Sequence, residues 1–201
     1  MERDAAIALL RKLEGIDLRP LALTHQVTVW LEGKLNKGWC GHVLERYLGL
    51  PINSSQSPNF GSWELKIVPL KKLMNGKVVV KETMAITMID PVNVVLKPFE
   101  ESHLLAKLRK AVVCARMFES KQEECTLLVR VATFDLGNAE IYNQVRADYE
   151  EVRETIRTKG FHALTGAMGV LVQPRTKGAG HGTTSRAFYA RTQFVTKILG
   201  L

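Results

Sequence analysis

The spacing of apolar residues predicts helices in the first quarter of the chain and a long helix nearer its end. Leucine, isoleucine and valine recur at helical intervals in residues 3–14 and 18–32. Residues 37–50, KGWCGHVLERYLGL, form a clearer helix that Gly49 and Pro51 are expected to end. Its apolar face consists of Trp39, Val43, Leu44, Tyr47 and Leu48. Residues 139–159 predict a long charged helix.

Alternation and turn signals predict the strands. Residues 62–69 follow a polar loop, and Asn75–Gly76 is typical of a hairpin turn that leads into a second strand at 77–89. The other predicted elements are a helix at 101–111, strands at 110–118, 125–134 and 169–175, a glycine-rich loop at 176–186, and a strand or helix at 187–199. This mixed order predicts an α/β (α+β mixed) fold, in which helices flank a mixed central sheet.

Composition excludes several classes of protein. The chain has 201 residues, of which 46% are hydrophobic, enough for one sizeable core or two joined lobes. It contains no apolar run of membrane-spanning length, and its charged start lacks the features of a signal peptide. Three scattered cysteines without a CxxC pair argue against structural zinc and a disulfide framework. The expected location is therefore the cytoplasm, with no membrane partner.

Positive charge is concentrated at the C-terminal end. The net charge is +8, and no acidic residue follows Glu154. Seven basic residues lie beyond that point: Arg157, Lys159, Arg175, Lys177, Arg186, Arg191 and Lys197. Charge spread evenly over a surface would rarely segregate in this way, so the C-terminal region is predicted to face a polyanion.

The stretch SPNFGSWELKIVP, residues 57–69, places two charges on one face of a predicted strand. Glu64 and Lys66 alternate with Trp63, Leu65 and Ile67. E-x-K is a common string, and an ordinary ion pair on a solvated face is the simpler explanation. The functional alternative needs two further carboxylates, which together with Glu64 would hold a hard divalent metal. The lysine would then orient or deprotonate the water that attacks a phosphodiester.

Several separated motifs resemble one nuclease family. KGWCGHVLERYLG and PNFGSWELK are similar to the core of the MutH / MvaI / BcnI group of DNA endonucleases, in the PD-(D/E)XK superfamily. The resemblance continues in order through SHLLAKLRKAV, GVLVQPRTKG and SRAFYARTQF. The short spacing from Asn59 to Glu64 and the GHGTTSRAFY loop lean toward MvaI and BcnI. The resemblance implies a restriction-endonuclease-like fold whose catalytic lobe (about 1–135) and recognition lobe (136–201) form a DNA-binding cleft.

Carried over by position, the family's active site falls on five residues. The helix glutamate is Glu45, the metal-binding strand glutamate is Glu64, and the catalytic lysine is Lys66. The additional active-site lysine of MutH falls on Lys107, and the central metal-binding aspartate falls on Asn59. The resemblance thus implies a Mg²⁺ site at Asn59 and Glu64, where Mn²⁺ or Ca²⁺ can substitute for binding.

The amide at position 59 departs from the family pattern. Either the protein was altered to trap a DNA complex, or it is a natural variant with weak or lost activity. Deliberate inactivation is the favoured explanation, because everything around Asn59 is intact.

The basic C-terminal segment is the expected recognition surface. GAGHG lies between Lys177 and Arg186 and suits a loop that enters a DNA groove, although a loop without contacts is the simpler alternative. In the family this region supplies base contacts. The expected DNA-binding residues are Arg175, Lys177, His181, Arg186, Tyr189 and Arg191.

These patterns leave two classes of function open. The favoured class is a monomeric, Mg²⁺-dependent, sequence-specific endonuclease of double-stranded DNA, which works one strand at a time like a type II restriction enzyme. A restriction enzyme would have a methyltransferase partner in the same restriction-modification system. A mismatch-repair nickase like MutH is the variant of this class. The other class is a non-catalytic DNA-binding module in which Asn59 is native.

Overall fold

The computed structural model describes residues 1–50, 58, 60–178 and 185–201. Its α-helices are α1 (Arg3–Arg11), α2 (Leu18–Thr24), α3 (Trp39–Tyr47), α4 (Pro91–Leu96), α5 (His103–Leu108), α6 (Ala139–Lys159) and α7 (Thr192–Leu199). Its strands are β1 (Trp30–Leu31), β2 (Lys34–Leu35), β3 (Glu64–Lys72), β4 (Val78–Val80), β5 (Met84–Met88), β6 (Lys110–Met117), β7 (Leu128–Asp135), β8 (Val172–Thr176) and β9 (Arg186–Ala190). Two 3₁₀ turns cover Phe99–Glu101 and Phe161–Ala163. None of the described helices has the length and apolar character needed to cross a membrane.

The fold contains a larger and a smaller β-sheet, and a separate two-stranded hairpin. The larger sheet has the order β4-β3-β6-β7, with β3 and β6 parallel and the outer pairs antiparallel. The smaller sheet has the order β5-β9-β8 and is antiparallel throughout. β1 and β2 form the hairpin. The predicted mixed α/β architecture is confirmed.

The larger sheet separates two apolar cores. Alternation along β6 sends Ala111, Val113 and Ala115 into one core, which also contains side chains of α4–α7 and of the smaller sheet. Val112 and Cys114 point the other way, into the core beneath α1, α2 and α3. Buried on both faces, β6 has the continuous apolar sequence expected of a central parallel strand.

A clamp at the start of β8 fixes the segment that leads into the smaller sheet. The buried carboxylate of Asp148 on α6 accepts hydrogen bonds of 2.7–2.8 Å from the backbone N–H groups of residues 170–172. Gly169 has φ +73°, and a Cβ there would lie 1.8 Å from the carbonyl oxygen of Val172. This approach explains why glycine occupies the position.

The predicted helix at 18–32 is wrong in its second half. α2 ends at Thr24, and Gln26 has a left-handed φ of 55°. Residues 27–30 are Val-Thr-Val-Trp, whose β-branched and aromatic side chains favour extended structure. Glu32 and Gly33 both have positive φ, as a two-residue type I′ turn requires, and they connect β1 to β2.

The second half of the predicted strand at 77–89 belongs to the other sheet. β4 pairs with β3 across the predicted Asn75–Gly76 turn, which is confirmed, whereas β5 pairs with β9. The charged residues Lys81 and Glu82 lie at the corner between them. Residues 187–199, predicted as a strand or a helix, contain one of each, since β9 is followed directly by α7. α4 was not predicted at all.

The proposed division at residue 135 is not tested by this topology and stays a prediction. β5 lies before that boundary in sequence and pairs with β9 beyond it. The smaller sheet therefore draws strands from both sides of the boundary.

Candidate active site

Glu64 is the centre of a buried charge cluster. It is the first residue of β3, and only 1% of its surface is exposed. Its Oε1 atom lies 2.8 Å from the Nζ atom of Lys66 and 3.2 Å from the Nζ atom of Lys107. The simpler explanation of the E-x-K string, an ion pair on a solvated face, therefore does not hold. Burial of three ionised groups is costly, which makes a purely structural role unfavourable.

Lys66 projects from the same face of β3 as Glu64 and reaches toward the smaller sheet. About a fifth of its side chain is exposed, 20%. Burial lowers the pKa of Lys66 by removing water from the ammonium group, while the charge of Glu64 and the hydrogen bond to it act in the opposite direction. The nearby charges of Lys107 and Lys177 lower this pKa further. The effect of Lys177 shows that the end of β8 comes close to the cluster.

A β-bulge in the smaller sheet supplies a second partner for Lys66. The pairing of β5 with β9 shifts register between Ala85 and Thr87, so Ile86 is the extra residue. The carbonyl oxygen of Ile86 accepts a hydrogen bond of 3.3 Å from the Nζ atom of Lys66. Sequence reasoning missed this contact, because a backbone acceptor in a bulge leaves no residue-type signal.

Lys107 is positioned by a short, well-capped helix. The hydroxyl of Ser102 accepts from the N–H of Leu105 and donates to the carbonyl of Phe99, so it caps α5 from within the core. Lys107 lies in the last turn of α5, and its side chain is only 9% exposed. Pairing with Glu64 offsets the cost of burying this cation.

Glu45 lies on the helix that packs against the catalytic strand. A Cβ on Gly41 of α3 would lie 3.7 Å from the side chain of Ile67, so α3 and β3 meet at this point. Glu45 follows Gly41 by four residues and shares its helical face. Its Oε2 atom is buried. This placement is compatible with the predicted role of Glu45 and does not by itself test it.

Two predicted site residues, Asn59 and His181, lie outside the described residues. Within the described part of the chain, no three His, Cys, Asp or Glu side chains are grouped closely enough to hold a metal ion. The donors that the sequence offers at the start of β3 are the Glu64 carboxylate and the Asn59 amide. Both are oxygen donors of the kind that Mg²⁺ prefers, although only one of them carries charge.

The predicted recognition residues cluster on the β8–β9 hairpin. Thr176 pairs with Arg186, and the N–H of Lys177 donates to the carbonyl of Ser185 at 2.9 Å, which extends the ladder toward the tip. The guanidinium of Arg175 lies 5.8 Å from the ring centre of Tyr189 and donates to the hydroxyl of Thr83 at 2.9 Å. Thr83 was not singled out from the sequence.

Arg186 and Arg191 differ in how their guanidinium groups are used. Arg186 lies over the ring of Phe161 at 5.9 Å and makes a long 3.5 Å contact with the carbonyl of His162. Arg191 instead donates to four backbone carbonyls, those of residues 166–169, at 2.9–3.1 Å. Arg191 thus fixes the loop before β8, and its predicted contact with DNA gains no support from this geometry.

Two neighbouring clefts lie beside the recognition hairpin. A cleft of about 530 Å³ is lined by Lys81, Glu82, Thr83, Arg175, Thr176, Tyr189 and Thr192. A second cleft of about 700 Å³ shares Lys81, Glu82, Thr83 and Tyr189 with it, and extends to Ile67 on β3 and to Trp30 and Leu35 on the β1–β2 hairpin. The cluster residues Glu64, Lys66 and Lys107 are not among the residues that line these two clefts.

Comparison with known proteins gives the family. A family model described as DNA mismatch repair enzyme MutH matches residues 48–148, which include Glu64, Lys66 and Lys107. The DNA mismatch repair protein MutH of Vibrio cholerae is 29% identical over 94% of this chain and 91% of its own length. The MutH protein of Shewanella woodyi is 26% identical over 98% of this chain and 90% of its own length.

A restriction enzyme is among the relatives as well. The type II restriction enzyme Sau3AI of Staphylococcus aureus is 25% identical over 83% of this chain, which corresponds to 37% of that enzyme. The particular lean toward MvaI and BcnI stays a prediction. The match over half of the chain confirms the resemblance that the motifs indicated: this chain belongs to the MutH family of DNA endonucleases.

Proposed function

We propose that the protein is a sequence-specific endonuclease of double-stranded DNA that requires Mg²⁺ and hydrolyses phosphodiester bonds one strand at a time. The observation that carries this proposal is the cluster in which Glu64 lies within 3.2 Å of both Lys66 and Lys107. A buried carboxylate with two lysines matches the needs of phosphodiester hydrolysis, where negative charge develops on the attacked phosphate.

The residues of the cluster have separate roles in this proposal. Lys66, partly exposed and held by the Ile86 carbonyl, faces the substrate and orients the attacking water. Lys107, almost fully buried, acts through Glu64 by holding its carboxylate fixed in direction. Hydrolysis adds water across the phosphorus–oxygen bond, so one oxygen of the DNA backbone leaves as a hydroxyl.

The metal would be held by Glu64 and by residue 59. When bound, Mg²⁺ supplies charge stabilisation at the attacked phosphate. An amide offers one neutral oxygen, whereas an aspartate would offer a charge, and the two lysines already offset the charge of Glu64. The proposal therefore includes that the chain with Asn59 is an inactivated Asp-to-Asn form that binds DNA and cuts it poorly.

Sequence readout is assigned to residues 173–191. β8 and β9 belong to a three-stranded sheet with β5, and the hydrogen bond between Lys177 and Ser185 continues their pairing as a two-stranded ribbon, one of the elements that fit into a major groove. Arg175 and Arg186 are the proposed base readers, since arginine forks match the O6 and N7 atoms of guanine. Lys177, whose charge acts on Lys66, is proposed to contact the phosphate near the cut. His181 is proposed to contact the middle of the site.

A cleavage screen tests the proposal. The Asn59→Asp protein, incubated with Mg²⁺ and mixed plasmid and phage DNA, is expected to produce discrete nicked and linear products. The chain with Asn59 is expected to produce few or none under the same conditions. If Asn59→Asp gains no cleavage with Mg²⁺ or Mn²⁺ on any substrate, while both proteins bind DNA, the non-catalytic binding module is the better description.

A mismatch-repair nickase is the second candidate, favoured by the length of the match. The MutH proteins of Vibrio cholerae and Shewanella woodyi align over 91% and 90% of their own length, whereas Sau3AI aligns over 37% of its length. The products separate the candidates, because a nickase leaves open circular plasmid and a restriction enzyme proceeds to linear DNA. A restriction enzyme would also have a methyltransferase partner that protects the same site.

A further inference from the structure

The β1–β2 hairpin presents apolar side chains beside the proposed DNA cleft. Trp30 is 41% exposed and Leu31 is 66% exposed, and Trp30 lines the larger cleft together with Leu35. The other two tryptophans, Trp39 and Trp63, are each 1% exposed. A large aromatic residue left in water at the rim of a cleft calls for an explanation in terms of what fills that cleft.

We infer that this hairpin is a second DNA-contacting element, in which Trp30, with its cross-strand partner Leu35 beside it, packs against the duplex. The inference rests on the proposed function and extends it to a part of the molecule for which neither the sequence patterns nor the family match indicates a role. Apolar and aromatic side chains serve this purpose because each base and sugar presents an apolar surface that any sequence provides.

The charge around the hairpin favours a nucleic acid over an apolar protein partner. The larger cleft is lined by four cations and two carboxylates: Lys37, Lys81, Arg116, Lys121, Glu82 and Glu123. Both carboxylates are paired, Glu82 with Lys81 at 2.6 Å and Glu123 with Arg116 at 2.7 Å. The cleft therefore has a net positive charge, which complements a phosphate backbone.

The hairpin is continuous with the proposed recognition surface. The cleft that contains Trp30 reaches Tyr189 on β9, and Tyr189 also lines the cleft that contains Arg175. A duplex that contacts Tyr189 and Arg175 of the β8–β9 hairpin would thus lie close to Trp30 of the β1–β2 hairpin. Two elements of one chain that line the same cleft can hold a duplex without a second subunit.

The hairpin is also held in a fixed position. The side chain of Asn36 donates to the carbonyl of Thr28 at 2.9 Å and accepts from the N–H of Gly38 at 3.1 Å. It therefore joins the base of the hairpin to the start of α3, the helix that carries Glu45. A contact with DNA at Trp30 is in this way linked mechanically to the active-site helix.

Tryptophan fluorescence gives a direct test on the unmodified chain, because Trp30 is the one tryptophan of the three that solvent reaches. The protein is titrated with a mixed-sequence duplex at low salt, and binding is followed in parallel by the anisotropy of a dye on the DNA. We expect the emission to fall, and acrylamide quenching to be lost, in proportion to DNA bound. Trp30→Phe should bind DNA and show neither change.

Affinity provides the second readout. Trp30→Ala should weaken binding by about tenfold, because burial of a large apolar side chain contributes about 1.5–3 kcal/mol. The slope of log K against log salt should stay the same, since an apolar contact releases no counterions. The matched control is Leu23→Ala, because Leu23 on α2 is 85% exposed and lies outside both clefts. It should bind DNA as the parent does.

The outcomes separate this inference from the proposed function. If the anisotropy shows saturation with DNA while the emission and quenching of Trp30 stay constant, the hairpin inference is overturned and the proposed function stands. Absence of any DNA binding would overturn both. A fluorescence change that follows protein concentration without DNA would mean that a second copy of the chain covers the hairpin, and this would also overturn the inference.

Discussion

At the scale of single residues, the cluster around Glu64 combines chemistry with stability. Glu64 compensates two lysines, one of which is almost fully buried. Such a cluster is built around its carboxylate, and its removal leaves two like charges close together in a region of low dielectric. Substitutions of the three residues should therefore lower the free energy of unfolding by different amounts.

Glu64→Ala should lower the free energy of unfolding by about 3 kcal/mol, because the almost fully buried Lys107 loses the carboxylate that lies 3.2 Å from its Nζ atom. Lys66→Ala should cost less, since its own ammonium group is partly exposed and Glu64 keeps Lys107 as a partner. Urea denaturation followed by circular dichroism measures both. The control is Glu82→Ala, which breaks an exposed pair with Lys81 and should cost under about 0.5 kcal/mol. Equal, small effects at positions 64 and 82 would contradict the buried cluster.

The sequence indicated which residues form the site, but it did not indicate which other groups contact them. The resemblance to the nuclease family placed Glu64, Lys66 and Lys107 in one site, and in the structure both lysines lie within hydrogen-bond distance of Glu64. The Ile86 carbonyl could not be predicted, because the bulge that exposes it depends on how β5 pairs with a strand about 100 residues later. Burial of Glu64 likewise depends on α5 and β5, which alternation within β3 does not describe.

At the scale of elements, the β8–β9 hairpin carries the proposed DNA-binding residues, whereas the loop before β8 is stabilised by contacts within the fold. Arg175 lies at the exposed end of β8, whereas Arg191 is tied to four carbonyls of residues 166–169. From the sequence, both arginines were predicted to bind DNA, because both belong to the basic C-terminal segment. Only the backbone geometry before β8 distinguishes them, and this geometry depends on Asp148 of α6.

Arg191→Ala is expected to reduce the stability of the fold, and Arg175→Ala is expected to reduce binding to the cognate duplex. Arg191→Ala should destabilise the fold by about 1–3 kcal/mol, since four backbone carbonyls, two of them in half-buried contacts, lose a charged donor. At temperatures where it is folded, its discrimination between cognate and scrambled duplexes should be normal. Arg175→Ala should fold normally and lose about 1–3 kcal/mol of binding on the cognate duplex alone. Thermal melts and competition binding measure the two quantities, and a specific loss of cognate binding by Arg191→Ala would reverse the assignment.

The pattern of apolar residues predicted most helices and strands because each has a clear period or cap. α6, predicted at 139–159, begins after Asn138, whose side chain accepts from the N–H of Ile141. The errors fall where neighbouring segments change partners. α2 gives way to the β1–β2 hairpin within residues 18–32, and the strand at 77–89 passes from one sheet to the other. Local propensity carries no information about which sheet a strand will join.

At the scale of the whole molecule, the proposed grip on DNA needs only one copy of the chain, because Trp30 of the β1–β2 hairpin and Tyr189 of the β8–β9 hairpin line the same cleft. The charge cluster, the β8–β9 hairpin and the β1–β2 hairpin all belong to one chain. We expect sedimentation with a short cognate duplex to show one protein per DNA. A stable complex of two proteins on one site would count against the single-chain grip.

Electrostatics should dominate the non-specific part of this grip. With a net charge of +8 and no acid after Glu154, affinity for scrambled DNA should fall steeply with salt. Lys177→Ala should weaken binding to cognate and scrambled duplexes equally and lower the salt slope by about one unit. Binding isotherms at four or more salt concentrations give the slope. A loss confined to the cognate duplex would instead make Lys177 a base reader.

The most direct test of the central claim compares cleavage rates at equal DNA occupancy. Single-turnover cleavage by Asn59→Asp in Mg²⁺ is measured against the double variant Asn59→Asp with Lys66→Ala, with each protein saturating the duplex. If the Glu64–Lys66–Lys107 cluster is the nuclease centre, the double variant should bind normally and cleave roughly a thousandfold more slowly, or not at all. Cleavage by the double variant at the rate of its Asn59→Asp parent would show that the catalytic centre lies elsewhere.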